Sequence, residues 1–156
     1  MRVTIVAVGR QRSGPEAALV TDYLERFERT GRALGIGPAR VVEVEDRRGG
    51  GPPSEAALIV AVLPKDALLV VLDERGAALD SVEFALRLRG WADGGARDLA
   101  LAIGGADGLA ESLRARADAA LSFGRMVWPH LLARAMLAEQ LYRATTILAG
   151  GPYHRP

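Results

Sequence analysis

Tyr153, His154 and Arg155 stand side by side near the end of the chain, directly behind Gly150-Gly151-Pro152. A phenol, an imidazole and a guanidinium can together donate a proton, accept one and hold an anion. The Gly-Gly-Pro segment cannot continue a helix and sets a bend before them. Chain ends usually fray and carry no chemistry. These residue types are those of a site, although a plain solvated end would accept them too.

Three internal segments also place glycine beside groups that can bind or react. Leu101-Ala102-Ile103-Gly104-Gly105-Ala106-Asp107-Gly108-Leu109 runs from an apolar strand through glycines towards a helix. Glycine lets backbone amides approach a ligand closely, and α/β proteins bind at the carboxyl ends of parallel strands. The spacing matches neither the dinucleotide fingerprint nor the phosphate-binding loop, and a tight turn suits it equally. In Leu72-Asp73-Glu74-Arg75-Gly76 a second strand end meets glycine. Asp73 and Glu74 there suit a general base, a ribose contact or a turn. In Ser122-Phe123-Gly124-Arg125-Met126-Val127-Trp128-Pro129-His130, apolar and sulfur-bearing side chains surround a glycine. They offer a wall to a flat heterocycle such as adenine, or ordinary core packing.

The elements that must position these segments are legible in the periodicity. Val3–Val8, Val41–Glu45, Ala67–Leu72, Leu99–Ile103 and Ala120–Phe123 read as strands. The near-continuous apolar runs of the first, third and fourth suit strands buried on both faces of a parallel sheet. Helices are expected over Glu16–Thr30, with Leu19, Tyr23 and Phe27 on one face, and over Ser54–Leu63, with Ser54 as N-cap. Others are expected over Asp80–Ala92, where Asp80 and Glu83 suggest a capping box, over Leu109–Asp118 and over Leu131–Leu148. The last is apolar over much of its circumference, which suits deep burial or a subunit interface; Glu139 and Arg143 form an i,i+4 pair on the remainder. Strand–helix alternation implies one α/β domain over residues 1–156, with a mainly parallel sheet flanked by helices.

Composition narrows the chemistry. The chain has 156 residues, 49% hydrophobic and 25% charged, a balance that supports a globular core. It has no cysteine and two histidines, so disulfides and thiolate metal sites are excluded and no metal centre is expected. No apolar run reaches a membrane span, and Met1–Val8 is too short for a signal peptide, so the expected compartment is the cytoplasm. The net charge of +1 is lower than a dedicated duplex-binding domain usually carries. Lys65 is the only lysine; arginine, alanine and glycine rise together, which reads as a compositional bias.

Taken in order, five segments resemble one family: Val6-Ala7-Val8-Gly9, Leu72-Asp73-Glu74-Arg75-Gly76, Ile103-Gly104-Gly105-Ala106-Asp107-Gly108, Pro129-His130 with Ala138-Glu139-Gln140-Leu141-Tyr142-Arg143-Ala144, and Pro152-Tyr153-His154-Arg155. The whole chain is similar to the RlmH family of SPOUT-class methyltransferases, which act on N3 of a pseudouridine in large-subunit (23S) ribosomal RNA. The resemblance implies an α/β fold with a trefoil knot near the C-terminus and a homodimer acting on 23S rRNA within the ribosome. It implies S-adenosylmethionine as cofactor, held by Leu72, Gly104, Gly105, Gly124, Arg125, Met126, Val127, Trp128 and Pro129. It assigns catalytic and substrate-side roles to His154, Tyr153, Arg155 and His130, with His154 the first choice of base. Gly124 and Val127 stand where relatives often carry hydroxyl residues, which shifts the expected cofactor contacts there to backbone amides. Pro156 ends the tail in place of a charged residue. A non-catalytic cofactor-binding dimer acting in ribosome assembly would use the same glycine loops.

Overall fold

The computed structural model describes residues 1–155, so Pro156 lies outside the described residues. Strands and helices alternate as β1 (Arg2–Val8), α1 (Pro15–Gly31), β2 (Ala39–Val44), α2 (Gly51–Val62), β3 (Leu68–Ala77), α3 (Ser81–Asp93), β4 (Asp98–Ile103), α4 (Glu111–Arg116), β5 (Ala119–Leu121) and α5 (His130–Leu148). The strands form one sheet in the order β2-β1-β4-β3-β5, and every pairing is parallel. All six residues of β4 are buried, as are the last six of β1, which is why both read as near-continuous apolar runs, broken only by Asp98 and Thr4.

Side-chain alternation along the strands divides the core in two. Val3, Ile5, Ala7, Leu99 and Leu101 face one side, against Phe27 of α1, Leu88 of α3 and Leu137 and Leu141 of α5. Val6, Val8, Ala100 and Ala102 face the other, against Ile59 of α2 and Leu113 of α4. Burying a side chain of this size is worth about 1.5–3 kcal/mol, so the two layers fix the sheet between them.

Local signals held where they were strongest. The Asp80 side chain accepts from the Glu83 amide at 2.8 Å and Glu83 returns the bond to the Asp80 amide at 2.8 Å, a complete capping box. Elsewhere neighbours overrode them. Helix α2 begins at Gly51, ahead of Ser54, because Pro52 and Pro53 fit a first turn whose N–H groups have no helical partner anyway. The Gly51 amide is met instead by Asp46 at 3.1 Å. On α1 the buried stripe is Val20, Leu24 and Phe27; Leu19 is exposed and Tyr23 only partly buried. Helix α4 is shorter at both ends than its sequence suggests, and β5 starts one residue early and ends at Leu121.

Strand β3 is the informative departure. It pairs with β5 through Val70↔Ala119, Val71↔Ala120 and Leu72↔Leu121, leaves the ladder, and returns at Ala77, again opposite Leu121. The Ser122 amide donates to the Ala77 carbonyl at 2.9 Å, closing the return. The intervening Asp73–Gly76 segment is lifted over the end of β5. Gly76 has no room for a side chain: a Cβ there would lie 2.6 Å from backbone atoms of Leu121 and 2.7 Å from Ala120. Neither neighbour can give way without breaking the sheet. Gly76→Ala is therefore expected to destabilise the chain by about 1–3 kcal/mol or to prevent folding, measured as the shift in urea midpoint; a midpoint equal to wild type would refute this packing.

Candidate functional site

Three loops converge at the carboxyl edge of the sheet on a cleft of about 410 Å³. That volume lies within the range of small-molecule sites. Leu72 to Arg75 come from β3, Ile103 to Leu109 follow β4, and Leu121 to Gly124 with Met126, Val127 and Trp128 follow β5. His130 and Ala133, from the first turn of α5, complete the wall. The cleft thus brings together Leu72, Gly104, Gly105, Gly124, Met126, Val127, Trp128 and His130. Arg125 and Pro129 belong to the same loop but do not line the cleft.

Gly104 of the second loop is required by close approach of backbone, while Gly105 packs against a side chain. A Cβ on Gly104 would stand 2.8 Å from the Gly108 carbonyl oxygen, and one on Gly105 would stand 2.7 Å from Glu55 Oε1. Glu55, on α2, accepts from the Gly105 amide at 3.3 Å. The Gly108 amide closes the turn by donating to the Gly105 carbonyl at 3.1 Å, and Gly108 takes a φ of +78°. Backbone therefore lines this side of the cleft.

In the first loop Asp73 is fastened by the loop and by α4. It accepts from the Arg75 amide at 2.9 Å, and Arg114 Nη1 lies 3.7 Å from its carboxylate. Arg114 is itself oriented by the Leu109 carbonyl at 2.6 Å. Asp73 is 9% exposed on its side chain, so it is an oriented anion in the cleft wall. In the third loop Ser122 supplies a hydroxyl that the sequence reading passed over. Its Oγ accepts from the Gly124 amide and donates to the Gly124 carbonyl, both at 3.1 Å. The Gly124 amide is thereby taken, contrary to the expectation that backbone amides there are free for a cofactor. Met126 and Val127 are strongly exposed, at 73% and 88%, which makes this loop the open lip of the cleft.

Tyr153, His154 and Arg155 do not line the cleft of their own chain. Tyr153 donates from its hydroxyl to Glu139 Oε1 at 3.0 Å, and Arg143 grips the same oxygen through Nε and Nη2 at 2.9 and 2.6 Å. The Tyr153 ring centroid lies 4.6 Å from that of Tyr142, and the Arg143 guanidinium carbon 4.8 Å from the Tyr153 centroid. The Glu139–Arg143 pair expected from spacing is thus present and carries the tail as well. His154 is partly buried, and its Nδ1 has no hydrogen-bond partner among the described residues; Arg155 is exposed. A second, apolar cavity of about 740 Å³ shares Leu121 to Gly124 with the cleft and extends to Leu19, Tyr23, Phe84, Leu132 and Met136. The Leu19–Tyr23 face of α1 therefore looks into this cavity. Among the described residues no cluster of His, Asp or Glu could hold a metal ion, and no helix is long and apolar enough to cross a membrane.

Burial, followed by the Glu139 hydrogen bond, pushes the Tyr153 phenol above its ordinary range. A phenol held protonated by the fold contributes stability that is complete below about pH 10 and fades as pH rises above it. Wild type is therefore expected to lose thermal stability between about pH 9 and about pH 11 more steeply than Tyr153→Phe. Parallel melting curves across that range would show that the tyrosine is not docked on Glu139.

Comparison with known proteins agrees with this architecture. A family model described as a predicted SPOUT methyltransferase matches residues 1–154. Proteins named ribosomal RNA large subunit methyltransferase H are 66% identical in Ruegeria pomeroyi and 65% in Roseobacter denitrificans, each over 99% of both chains. The counterpart in Cereibacter sphaeroides is 66% identical over the same share. A solved structure, a probable methyltransferase from Bordetella pertussis, superposes with a TM-score of 0.51 at 17% identity, covering 92% of this chain and 93% of its own; at that identity it speaks to the fold. With the family model and near-complete relatives in accord, the chain belongs to the SPOUT methyltransferase family.

Proposed function

We propose that this protein transfers a methyl group from S-adenosylmethionine to N3 of a pseudouridine in large-subunit (23S) ribosomal RNA, as a homodimer acting on the assembled ribosome. The observation that carries the reading is the glycine-lined cleft at the sheet's carboxyl edge with His130 in its wall. The name of the relatives at 66% identity supports the RNA substrate. The domain is read as one unit over residues 1–156. The family's C-terminal knot fits the tight crossing of Gly76 over Ala120 and Leu121.

The cleft suits the cofactor chemically. Leu72, Met126 and Trp128 offer apolar surface to an adenine, and Gly104 and Gly105 present backbone where side chains would intrude. Bound there, S-adenosylmethionine supplies an electrophilic methyl group on a sulfonium. The chain's own residues must align the acceptor, since alignment is the main source of rate in such a displacement. They must also remove the imide proton of N3, a task for a base that titrates near neutrality. His154 is assigned that role, with His130 as the second choice. Tyr153 is assigned to the base edge, and Arg155 to the developing anion or a backbone phosphate.

Tyr153 is docked on Glu139, outside its own cleft, which favours delivery of the tail to a partner subunit's cleft. The neighbouring apolar cavity, with Leu19 at 42% exposure beside it, offers the partner a surface to cover. The modest net charge of +1 suits recognition of an assembled shape more than of free RNA.

Purified protein, S-adenosylmethionine and ribosomes lacking the modification are expected to yield one methylated pseudouridine by nucleoside mass spectrometry, with free 23S rRNA a poor substrate. His154→Ala should slow transfer by about 10²- to 10⁴-fold while leaving calorimetric cofactor affinity nearly unchanged. Cofactor binding without transfer to either RNA form would favour a non-catalytic module instead.

A further inference from the structure

We infer that Arg134 is a positioning residue for His130, clamping the first turn of α5 to the end of β1 through its buried guanidinium, which pairs with the exposed Glu43. The inference rests on the reading above for the role of His130. Arg134 is the one arginine or lysine buried among the described residues, at 1% exposure. Its Nη1 donates to Glu43 Oε1 at 2.7 Å, and its Nη2 donates to the Val8 and Gly9 carbonyls at 3.0 and 2.9 Å. Glu43 also accepts from the Gln11 amide at 2.8 Å. One fork therefore holds β1, β2 and the turn that follows β1.

That turn is what His130 leans on. Gly9 takes a φ of +89°, and a Cβ built there would stand 3.4 Å from His130 Nε2. Arg134 lies four residues after His130 on α5, so both side chains leave the same face of the helix. The clamp thus sets the distance between the helix turn that carries the imidazole and the backbone that backs it.

Stability alone is a poor reason for such a group. Burying a guanidinium is costly, and an apolar side chain of similar volume would avoid that cost. Here the cost is raised further, because Arg134 Nε and Gln11 Nε2 are buried without hydrogen-bond partners. Only a planar fork reaches two carbonyls and a carboxylate at once. Lysine has the charge but not the geometry.

The test compares Arg134→Met/Glu43→Gln, which removes both charges at similar volume, with Glu43→Gln, which keeps the accepting oxygen. Arg134→Lys serves if the double variant does not fold. With two histidines in the chain, the imidazole signals are separable by long-range proton–nitrogen NMR, using His154→Ala for assignment. The double variant and Arg134→Lys are expected to shift or broaden the His130 signals, with Glu43→Gln near wild type. The methyl-transfer kcat on ribosomes should fall about 10- to 100-fold in the first two, with KM for S-adenosylmethionine changed less than about threefold. Unchanged His130 signals in both would overturn the inference, as would parallel losses of kcat, KM and melting temperature, which a merely structural role would give. If wild-type protein transfers no methyl group, the functional reading fails, and the NMR comparison still decides the clamp.

Discussion

The crossing of Gly76 over the backbone of Ala120 and Leu121 is the constraint on which the cleft depends. Strand β3 meets β5 at Leu72 and meets it again at Ala77, with both contacts falling on Leu121. The four residues between have nowhere to lie but above the end of β5. This lifts Asp73 to Arg75 beside the loop after β4 and the loop after β5, so three segments share one cleft. The crossing tolerates only glycine, since a Cβ would meet backbone at 2.6 Å. Backbone cannot rotate out of the way as a side chain can, and overpacking of this kind is felt at once.

A second constraint works at the opposite edge of the cleft. The two-layered core fixes the sheet but not the first turn of α5, which projects past it. Arg134 reaches back from that turn to Val8, Gly9 and Glu43. The guanidinium is enclosed while Glu43 keeps 31% of its side-chain exposure, so the two carbonyls and the carboxylate satisfy a charge that solvent does not reach. This arrangement lets a helix whose buried face is otherwise uncharged carry a charge. It also separates two uses of arginine in the same helix. Arg143, partly exposed, fastens the tail through Glu139 and Tyr153, whereas Arg134, fully enclosed, fastens the site.

The tail and the cleft are physically distinct in one chain. Tyr153 is seated on α5 by a hydrogen bond, a tilted aromatic contact and a guanidinium over its ring. These weak contacts together hold a terminus that would otherwise fray. They leave the cleft of the same chain open at the Met126–Val127 lip.

Much of this was legible in the residues. The apolar runs marked the strands, most clearly β1, β3 and β4, because burial on both faces favours near-continuous Val, Ile and Leu. Asp80 and Glu83 declared a helix start through a bond pattern that spans three residues. Glycine spacing marked the three loops, and Glu139 with Arg143 announced their own pair. All of these depend on neighbours within a few positions, so they are written in local order. The tertiary structure alone decided what distant segments do to one another. Nothing local distinguishes Arg134 from a solvated arginine; it is buried because β1 and β2 place carbonyls and Glu43 at its reach, 91 residues or more away in sequence. Likewise β3 returns to the sheet at Ala77, where the Ser122 amide meets its carbonyl just past the end of β5. Sheet order and close backbone approach arise from packing the whole chain at once, and no short window of sequence contains them.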